Sequence, residues 1–170
     1  MNIHRYKRKP GVTSNIFLVM IESSAASGTG LTGLVYNSAS LTGYYKRDTG
    51  ASATAISLVT ATLGNFSSGG FKEVDATNMP GVYEIHVPDA ALAAGAKSVM
   101  VVLKGATNMY PVTLFIDLDE RLAPESYATD GAEPTESQLA YMLWSVIAEN
   151  AIAGSTITCK KLDGSTTSMT

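Results

Sequence analysis

Charged residues are scarce in this chain, and their scarcity limits the classes of protein to which it can belong. Asp, Glu, Lys and Arg make up 16% of the 170 residues, against roughly 25% in typical soluble domains. The net charge of −3 and the pI near 5.3 argue against a nucleic-acid partner. Ser, Thr, Ala and Gly fill the deficit, which suits tight turns and surfaces that are covered in an assembly.

Cysteine and long apolar runs are also nearly absent. Cys159 is the single cysteine, so an internal disulfide framework is excluded, in keeping with assembly in a reducing cytoplasm. It lies in an alternating segment, where we expect a small buried side chain rather than a reactive thiol. No apolar run reaches the roughly 20 residues of a spanning helix, so no membrane partner is predicted. No apolar stretch follows the basic N-terminus before Pro10, so we expect no signal peptide.

Residue patterns that carry chemistry are missing as well. The segment 28–33 has Gly-x-Gly-x-x-Gly spacing, but a strand rather than a helix is predicted after it, so a dinucleotide site is not indicated. Glu84 and His86 lie on the same face of one predicted strand. A pair of this kind, without a third ligand or a nucleophile, is weak evidence for a metal or acid–base site. We expect His86 to be a surface or edge histidine. The sequence predicts no catalytic residue, no cofactor and no metal site.

Residues 1–118 consist of short strand-like segments separated by turn signals. Residues 82–87 alternate most clearly, with Val82, Glu84 and His86 on one side and Tyr83 on the other. The apolar run 16–21 indicates a strand buried on both faces. The other predicted strands are 34–36, 41–45, 55–60, 71–74, 98–103 and 112–118. This spacing predicts a mainly β fold with an immunoglobulin-like β-sandwich over 1–118. Residues 89–94 are either one helical turn capped by Asp89 or an irregular loop.

Residues 119–170 differ from residues 1–118 in composition and in their predicted elements. Residues 119–134 read as a linker, and residues 135–170 as a helix plus a short C-terminal β-hairpin that form an oligomerisation or docking module. Thr135 and Gln138 have the spacing of a capping box, and the helix is predicted over 134–153. Side chains at spacings of three and four define its apolar face, which we predict to be the oligomer or partner interface: Leu139, Met142, Leu143, Val146 and Ile147. Tyr141 and Trp144 occupy the flank. Residues 157–162 and 165–170 form the predicted hairpin around an Asp-Gly turn.

Two further groups of side chains have alternative interpretations. The N-terminal run contains Arg5, Lys7, Arg8 and Lys9; it is either a solvated terminal arm or an arm that docks on an acidic neighbouring subunit. Five tyrosines either form a carbohydrate-stacking patch or pack across strand faces, as is usual for strand residues: Tyr36, Tyr44, Tyr45, Tyr83 and Tyr110.

Several segments resemble virion structural proteins of tailed bacteriophages. They are LTGL at 31–34, GGFKEVDATNMPGVY at 69–83, VPDAAL at 87–92, LKGATNM at 103–109 and STITCKKLDGSTT at 155–167. The resemblance covers most of residues 30–118 and 126–168 and is to tail, baseplate and tail-fibre proteins. It implies a location in the virion, other virion proteins as partners, and no catalytic or ligand residue.

Together these observations predict a non-enzymatic tail, baseplate or fibre-attachment component that forms a homo-oligomer, preferably a trimer, through its C-terminal helix. A capsid decoration or head-fibre protein is the first alternative, since burial of the same apolar helix face can hold a protein to the head of the particle as well as to the tail. A glycan- or receptor-binding module with exposed tyrosines is the second.

Overall fold

The computed structural model describes residues 2–119, 134, 136–148, 150–153, 156–160 and 167–169, with side chains as far as Trp144. The chain divides into two compact units, residues 1–118 and residues 119–170. Most of the predicted linker, 119–134, lies outside the described residues.

Five strands form the first sheet of residues 1–118. In spatial order they are β1 (Asn2–Arg8), β9 (Val112–Leu118), β8 (Ser98–Lys104), β3 (Thr42–Arg47) and β4 (Thr54–Ile56). β1 pairs with β9 in parallel, whereas the other neighbours are antiparallel. The chain therefore begins on an edge strand next to the last strand of the unit.

Four strands form the second sheet. Their order is β2 (Ile16–Met20), β7 (Met79–His86), β6 (Gly70–Asp75) and β5 (Val59–Thr60). β2 and β6 are antiparallel to β7, and β5 is parallel to β6. β2 and β5 are the two edges of this sheet.

A single hydrophobic core draws side chains from both sheets, as in a β-sandwich. The second sheet supplies Phe17, Phe71, Tyr83 and Ile85, and the first sheet supplies the alternating residues of β8 and β9: Val99, Val101, Leu103, Val112, Leu114 and Ile116. Each of these side chains is at most 1% exposed, and full burial of a side chain of this size contributes about 1.5–3 kcal/mol. The prediction of a mainly β, sandwich-like fold is confirmed.

β7 and β2 show how far the burial of a strand follows its sequence. In β7, Tyr83 and Ile85 are fully buried while Val82 and Glu84 are partly exposed, as the alternation predicts. The prediction that β2 is buried on both faces is wrong, because Leu18 is 48% exposed between the buried Phe17 and Val19. β2 is an edge strand whose outer side faces solvent.

Two predicted strands are replaced by other structure. Residues 34–36 form no strand, because the Leu34 and Val35 amides donate to the side-chain oxygens of Tyr83 and Ser38 rather than to a neighbouring strand. The segment 55–60 divides into β4 and β5, which belong to different sheets. The chain crosses between the two layers at that point.

The short element after β7 is a single 3-10 turn, Asp89–Ala91. The prediction that Asp89 caps it is wrong, because Pro88 occupies the cap position and no side chain caps the turn. The Asp89 carboxylate instead accepts a hydrogen bond from the Ser14 amide at 2.7 Å. Asp89 therefore fixes the segment before β2.

The second unit contains α1 (Glu136–Ala148) and three antiparallel strands, β10 (Asn150–Ala153), β11 (Thr156–Lys160) and β12 (Thr167–Met169). The predicted helix over 134–153 is too long, since residues 150–153 pair with β11. β-branched Ile152 and the Asn at 150 are poor helix formers, so strand pairing prevails there. The predicted Asp-Gly turn and the Cys159 side chain lie outside the described residues. Among the described helices, none has both the length and the apolar character to cross a bilayer.

Candidate interaction surfaces

The exposed side of α1 is an apolar stripe. Among residues 136–144 the exposed ones are Glu136, Leu139, Ala140, Leu143 and Trp144, which follow the three-and-four spacing of one helix face. Leu139 is 51% exposed, Leu143 62% and Trp144 53%. Apart from Glu136, nothing on this stripe is charged, so water meets a continuous apolar surface.

The structure places the predicted interface residues of α1 in two groups. Leu139 and Leu143 lie on the exposed stripe, whereas Met142 lies on the partly buried side. The side chains of Val146 and Ile147 lie outside the described residues. Trp144, which the sequence analysis assigned to the flank, belongs to the stripe. A helical wheel with 100° per residue places Trp144 on this stripe, because residues 136, 140 and 144 lie on the same face in successive turns of the helix.

The basic N-terminal run is a strand rather than a solvated arm, and its docking on an acidic neighbouring subunit stays a prediction. Residues 2–8 pair in register with β9 along its whole length. Side chains alternate, so that Ile3, Arg5 and Lys7 are exposed while Arg8 is partly buried. Lys9 is partly buried just after the strand. The four predicted docking residues therefore do not form one flexible cationic segment.

The other side of β1 fastens this strand to β2. His4 Nε2 accepts a hydrogen bond from the Met20 amide at 3.2 Å, and the Tyr6 hydroxyl donates to the Leu18 carbonyl. Arg8 Nε donates to the Asn15 side chain at 3.0 Å. Burial raises the pKa of the Tyr6 phenol, although the Arg8 charge and the bond to Leu18 act in the opposite direction. The His4 and Tyr6 contacts occupy backbone groups at the edge of β2, where an unpaired strand would invite association.

The exposed side chains of β1 join those of three further strands on the side of the first sheet opposite the core. The register places Arg5 beside Phe115, Phe115 beside Met100, and Met100 beside Lys46. Ile3 and Tyr44 lie in the adjacent row, separated by Thr113 and Val102. We call this set the outer patch: Ile3, Arg5, Tyr44, Lys46, Met100 and Phe115.

The outer patch combines apolar surface with cations. Ile3 is 46% exposed and Met100 45%, and the Arg5 guanidinium lies 5.5 Å from the centre of the Phe115 ring. A shallow depression of about 190 Å³ lies between Met100, Phe115 and Lys46. The sequence pattern does not reveal this surface, because its residues come from strands that are far apart in the chain.

His86 is buried, which corrects the expectation of a surface or edge histidine. It is 0% exposed, its Nδ1 accepts from the Ser67 amide at 3.0 Å, and its Nε2 lies 3.3 Å from the Glu84 carboxylate. Since Nδ1 accepts, the proton of the neutral ring is on Nε2 and is donated to Glu84. Glu84 also accepts from the Gly64 amide at 3.0 Å. The pair holds the loop 64–67, and both ring nitrogens are engaged.

No cluster of three or more His, Cys, Asp or Glu side chains with metal-binding geometry occurs in the part of the chain that the structure describes. The tyrosines do not form one patch. Tyr83 is in the core, Tyr45 packs against the core, and Tyr44 lies on the outer patch. Tyr36 and Tyr110 are exposed in loops. Tyr36 borders a cleft of about 230 Å³ whose polar lining residues include Asn37, Lys72 and Glu73.

Comparison of the chain with protein-family models, with curated proteins and with solved structures finds no match.

Proposed function

We propose that this chain is a non-enzymatic structural protein of a tailed-bacteriophage particle, a tail, baseplate or fibre-attachment component. It resides in the virion after assembly in the host cytoplasm and contacts other virion proteins. The resemblance of segments 31–34, 69–83, 87–92, 103–109 and 155–167 to such proteins supports the phage assignment. The exposed apolar stripe of α1 is the observation that carries the assembly role.

The finer fold type belongs to the same proposal. We propose that residues 1–118 are an immunoglobulin-like sandwich, with a C-terminal hairpin built from β11 and β12. The strand orders β1-β9-β8-β3-β4 and β2-β7-β6-β5 support the first point, since an immunoglobulin fold divides its strands between two sheets in a comparable way. The antiparallel pairing of β11 with β12 supports the second.

Assembly through α1 follows from the free energy of burying its stripe. Full burial of a Leu side chain contributes about 1.5–3 kcal/mol, so covering the exposed half or more of Leu139 and of Leu143 contributes about 1–2 kcal/mol each. Trp144 adds a larger area, and aromatic residues are enriched at interface centres. With copies meeting around one axis, these side chains form the centre of a closed homo-oligomer, for which we propose a trimer.

The test replaces Leu143 by Glu in the full chain and measures the molar mass by light scattering after gel filtration. We expect Leu143→Glu to dissociate the oligomer into monomers, because assembly would bury an unpaired carboxylate at the centre of the interface, which is energetically costly. Leu63→Glu is the matched control, since Leu63 is 39% exposed in a loop of the first unit. An oligomer that survives Leu143→Glu combined with Ile147→Glu contradicts assembly through the helix.

The cleft beside Tyr36 favours a second candidate function, a glycan-binding module. Its volume of about 230 Å³ accommodates one sugar ring, Tyr36 is 38% exposed beside it, and Asn37 and Lys72 provide polar groups at the cleft. Screening the full chain against a glycan array tests this function, with Tyr36→Ala as the variant that should lose binding and Tyr110→Ala as the control. Equal signals for the two variants contradict it.

A further inference from the structure

The outer patch has cations at both ends of an apolar row. Arg5 and Lys46 lie at the two ends, with Phe115 and Met100 between them. Adjacent strands are about 4.8 Å apart, so the two positive charges are anchored about 14 Å apart. A partner that fits this row therefore needs an apolar contact between two carboxylates at a similar separation.

The two cations of the outer patch lie opposite uncharged register neighbours, since Arg5 is paired with Phe115 and Lys46 with Met100. Elsewhere on this face Lys104 is paired with Thr42, whereas Lys7 is paired with Asp117. Asp48, at the end of β3, accepts hydrogen bonds from the amides of Thr49 and Lys97. The cations of this face outnumber its two carboxylates, Asp48 and Asp117, and the excess of positive charge favours an acidic surface outside the sheet.

The chain itself contains a complementary acidic segment. Of its twelve Lys and Arg residues nine lie in residues 1–118, whereas eight of its fifteen Asp and Glu residues lie in residues 119–170. Residues 119–133 alone contain Asp119, Glu120, Glu125, Asp130 and Glu133 against the single basic residue Arg121. The two units therefore carry opposite net charge.

We propose that the outer patch binds the acidic segment 119–133 of a second copy of this chain. The inference rests on the homo-oligomer of the proposed function and adds a second, electrostatic contact to the apolar one made by α1. A ring requires a heterologous contact, in which two different complementary surfaces of each copy meet. The outer patch and the acidic segment are two such surfaces, so each copy both donates and receives one contact around the ring.

The test is sedimentation velocity of the full chain, in which Arg5→Glu and Lys46→Glu are combined. Opposite charges steer and hold the two surfaces, whereas like charges repel. We therefore expect the dissociation constant to rise more than about tenfold. The matched control combines Lys72→Glu with Lys97→Glu, which changes the net charge equally at exposed positions outside the patch; its dissociation constant should stay close to that of the natural protein. Far-UV circular dichroism shows whether each variant is folded. If the double Glu variant does not fold, the double variant Arg5→Gln with Lys46→Gln replaces it in the same measurement.

A charge-reversal rescue identifies the acidic segment as the occupant. Asp130→Lys and Glu133→Lys, added to the face variant in the same chain, should restore association, because each surface then carries the opposite sign. Raising NaCl from about 50 to about 500 mM should weaken association of the natural protein, since the Debye length falls to a few Å. A monomer at every salt concentration, a face variant that associates like its control, or failure of the rescue each overturns the proposal.

The two contacts fail separately. If Leu143→Glu dissolves the oligomer and the face variant leaves it intact, the electrostatic contact is wrong and assembly through α1 stands. If only the face variant dissociates the oligomer, the outer patch stands and assembly through the helix is wrong. Binding of the natural protein to single-stranded DNA that the face variant loses, without any change of oligomer, assigns the patch to a nucleic acid and overturns the proposal.

Discussion

Replacing Tyr83 by Phe tests how the sandwich holds the loop that follows residue 30. The Tyr83 side chain is fully buried, and its ring stacks on Phe71 with centroids 4.9 Å apart and planes 5° apart. Its hydroxyl donates to the Leu31 carbonyl at 2.7 Å and accepts from the Leu34 amide at 3.2 Å. One oxygen therefore fixes two points of a segment that has no strand partner of its own.

The expected loss of stability follows from the groups that remain after the substitution. Phe keeps the stacked ring and nearly the same volume, so the packing term is small. The Leu31 carbonyl and the Leu34 amide lose their partner, and a buried polar group left unsatisfied costs about 1–3 kcal/mol. Two such groups cost about 2–6 kcal/mol if neither meets water. The Leu34 amide is buried, whereas the Leu31 carbonyl is only partly buried and can bond to water, so we expect a total destabilisation of about 2–4 kcal/mol.

Urea denaturation followed by far-UV circular dichroism measures this change. The control is Tyr36→Phe, because Tyr36 is exposed and such a substitution usually changes stability by less than about 0.5 kcal/mol. A Tyr83→Phe variant whose unfolding free energy lies within about 0.5 kcal/mol of the control would refute the argument that this hydroxyl anchors the loop.

Two further predictions concern the same layer of the sandwich. Burial raises the pKa of Tyr83 to about 12 from 10.0, and the nearby Glu73 carboxylate adds to the effect while the Leu34 hydrogen bond opposes it. The folded state thus holds this proton more tightly than the unfolded chain, so the contribution of the raised pKa to stability is complete below pH 10 and is lost as the pH rises through about 12. An alkaline titration followed at 295 nm should show a late phenolate step that Tyr83→Phe removes. A titration curve that Tyr83→Phe leaves unchanged would contradict the assignment. Gly70→Ala should destabilise the protein by about 2–4 kcal/mol, because overpacking costs about 1–3 kcal/mol and a lost hydrogen bond about 1 kcal/mol. The new methyl group would lie 2.4 Å from His86 Nδ1 and displace it from the Ser67 amide. Gly64→Ala is the control, since no atom lies within 4 Å of its added carbon and only its φ of +75° opposes the substitution, at about 1–2 kcal/mol. Equal urea midpoints for the two variants would contradict the steric reason.

The strands that pack one face on the core were predictable from their sequence. β6, β7, β8 and β9 all lie where apolar or alternating segments indicate strands. β1 was not predicted, because its exposed positions Arg5 and Lys7 carry charges and its other side is polar. The hydrogen bonds of His4 and Tyr6 to β2 are visible only in the fold. A run of basic residues at a terminus resembles a solvated arm unless the neighbouring strand is known.

Burial of individual polar and apolar side chains was less predictable. Leu18 lies in a continuous apolar run, yet it is 48% exposed because its side chain lies on the face of the second sheet opposite the core, next to Glu84. His86 is polar, yet it is fully buried because the loop 64–67 folds over it and Phe66 stacks on its ring at 5.8 Å. Tertiary structure decides which face of a strand meets the core and which side chains a loop covers. The alternation pattern of a single strand carries neither piece of information.

The candidate surfaces divide in the same way. Helical spacing was sufficient to identify Leu139 and Leu143, and a stricter helical wheel adds Trp144 and separates Met142 from them. The outer patch required the sheet register, because Arg5, Met100 and Lys46 are distant in the chain and become neighbours only when β1, β9, β8 and β3 align. Helix surfaces are local in sequence, whereas sheet surfaces are not.

Immunogold electron microscopy of purified phage particles, with an antibody raised against this chain, tests whether the protein is a structural part of the phage tail. We expect label confined to the tail, at its tip, baseplate, collar or fibres. Label spread over the head would contradict the tail assignment and indicate capsid decoration, and particles without label would contradict a structural role in the virion.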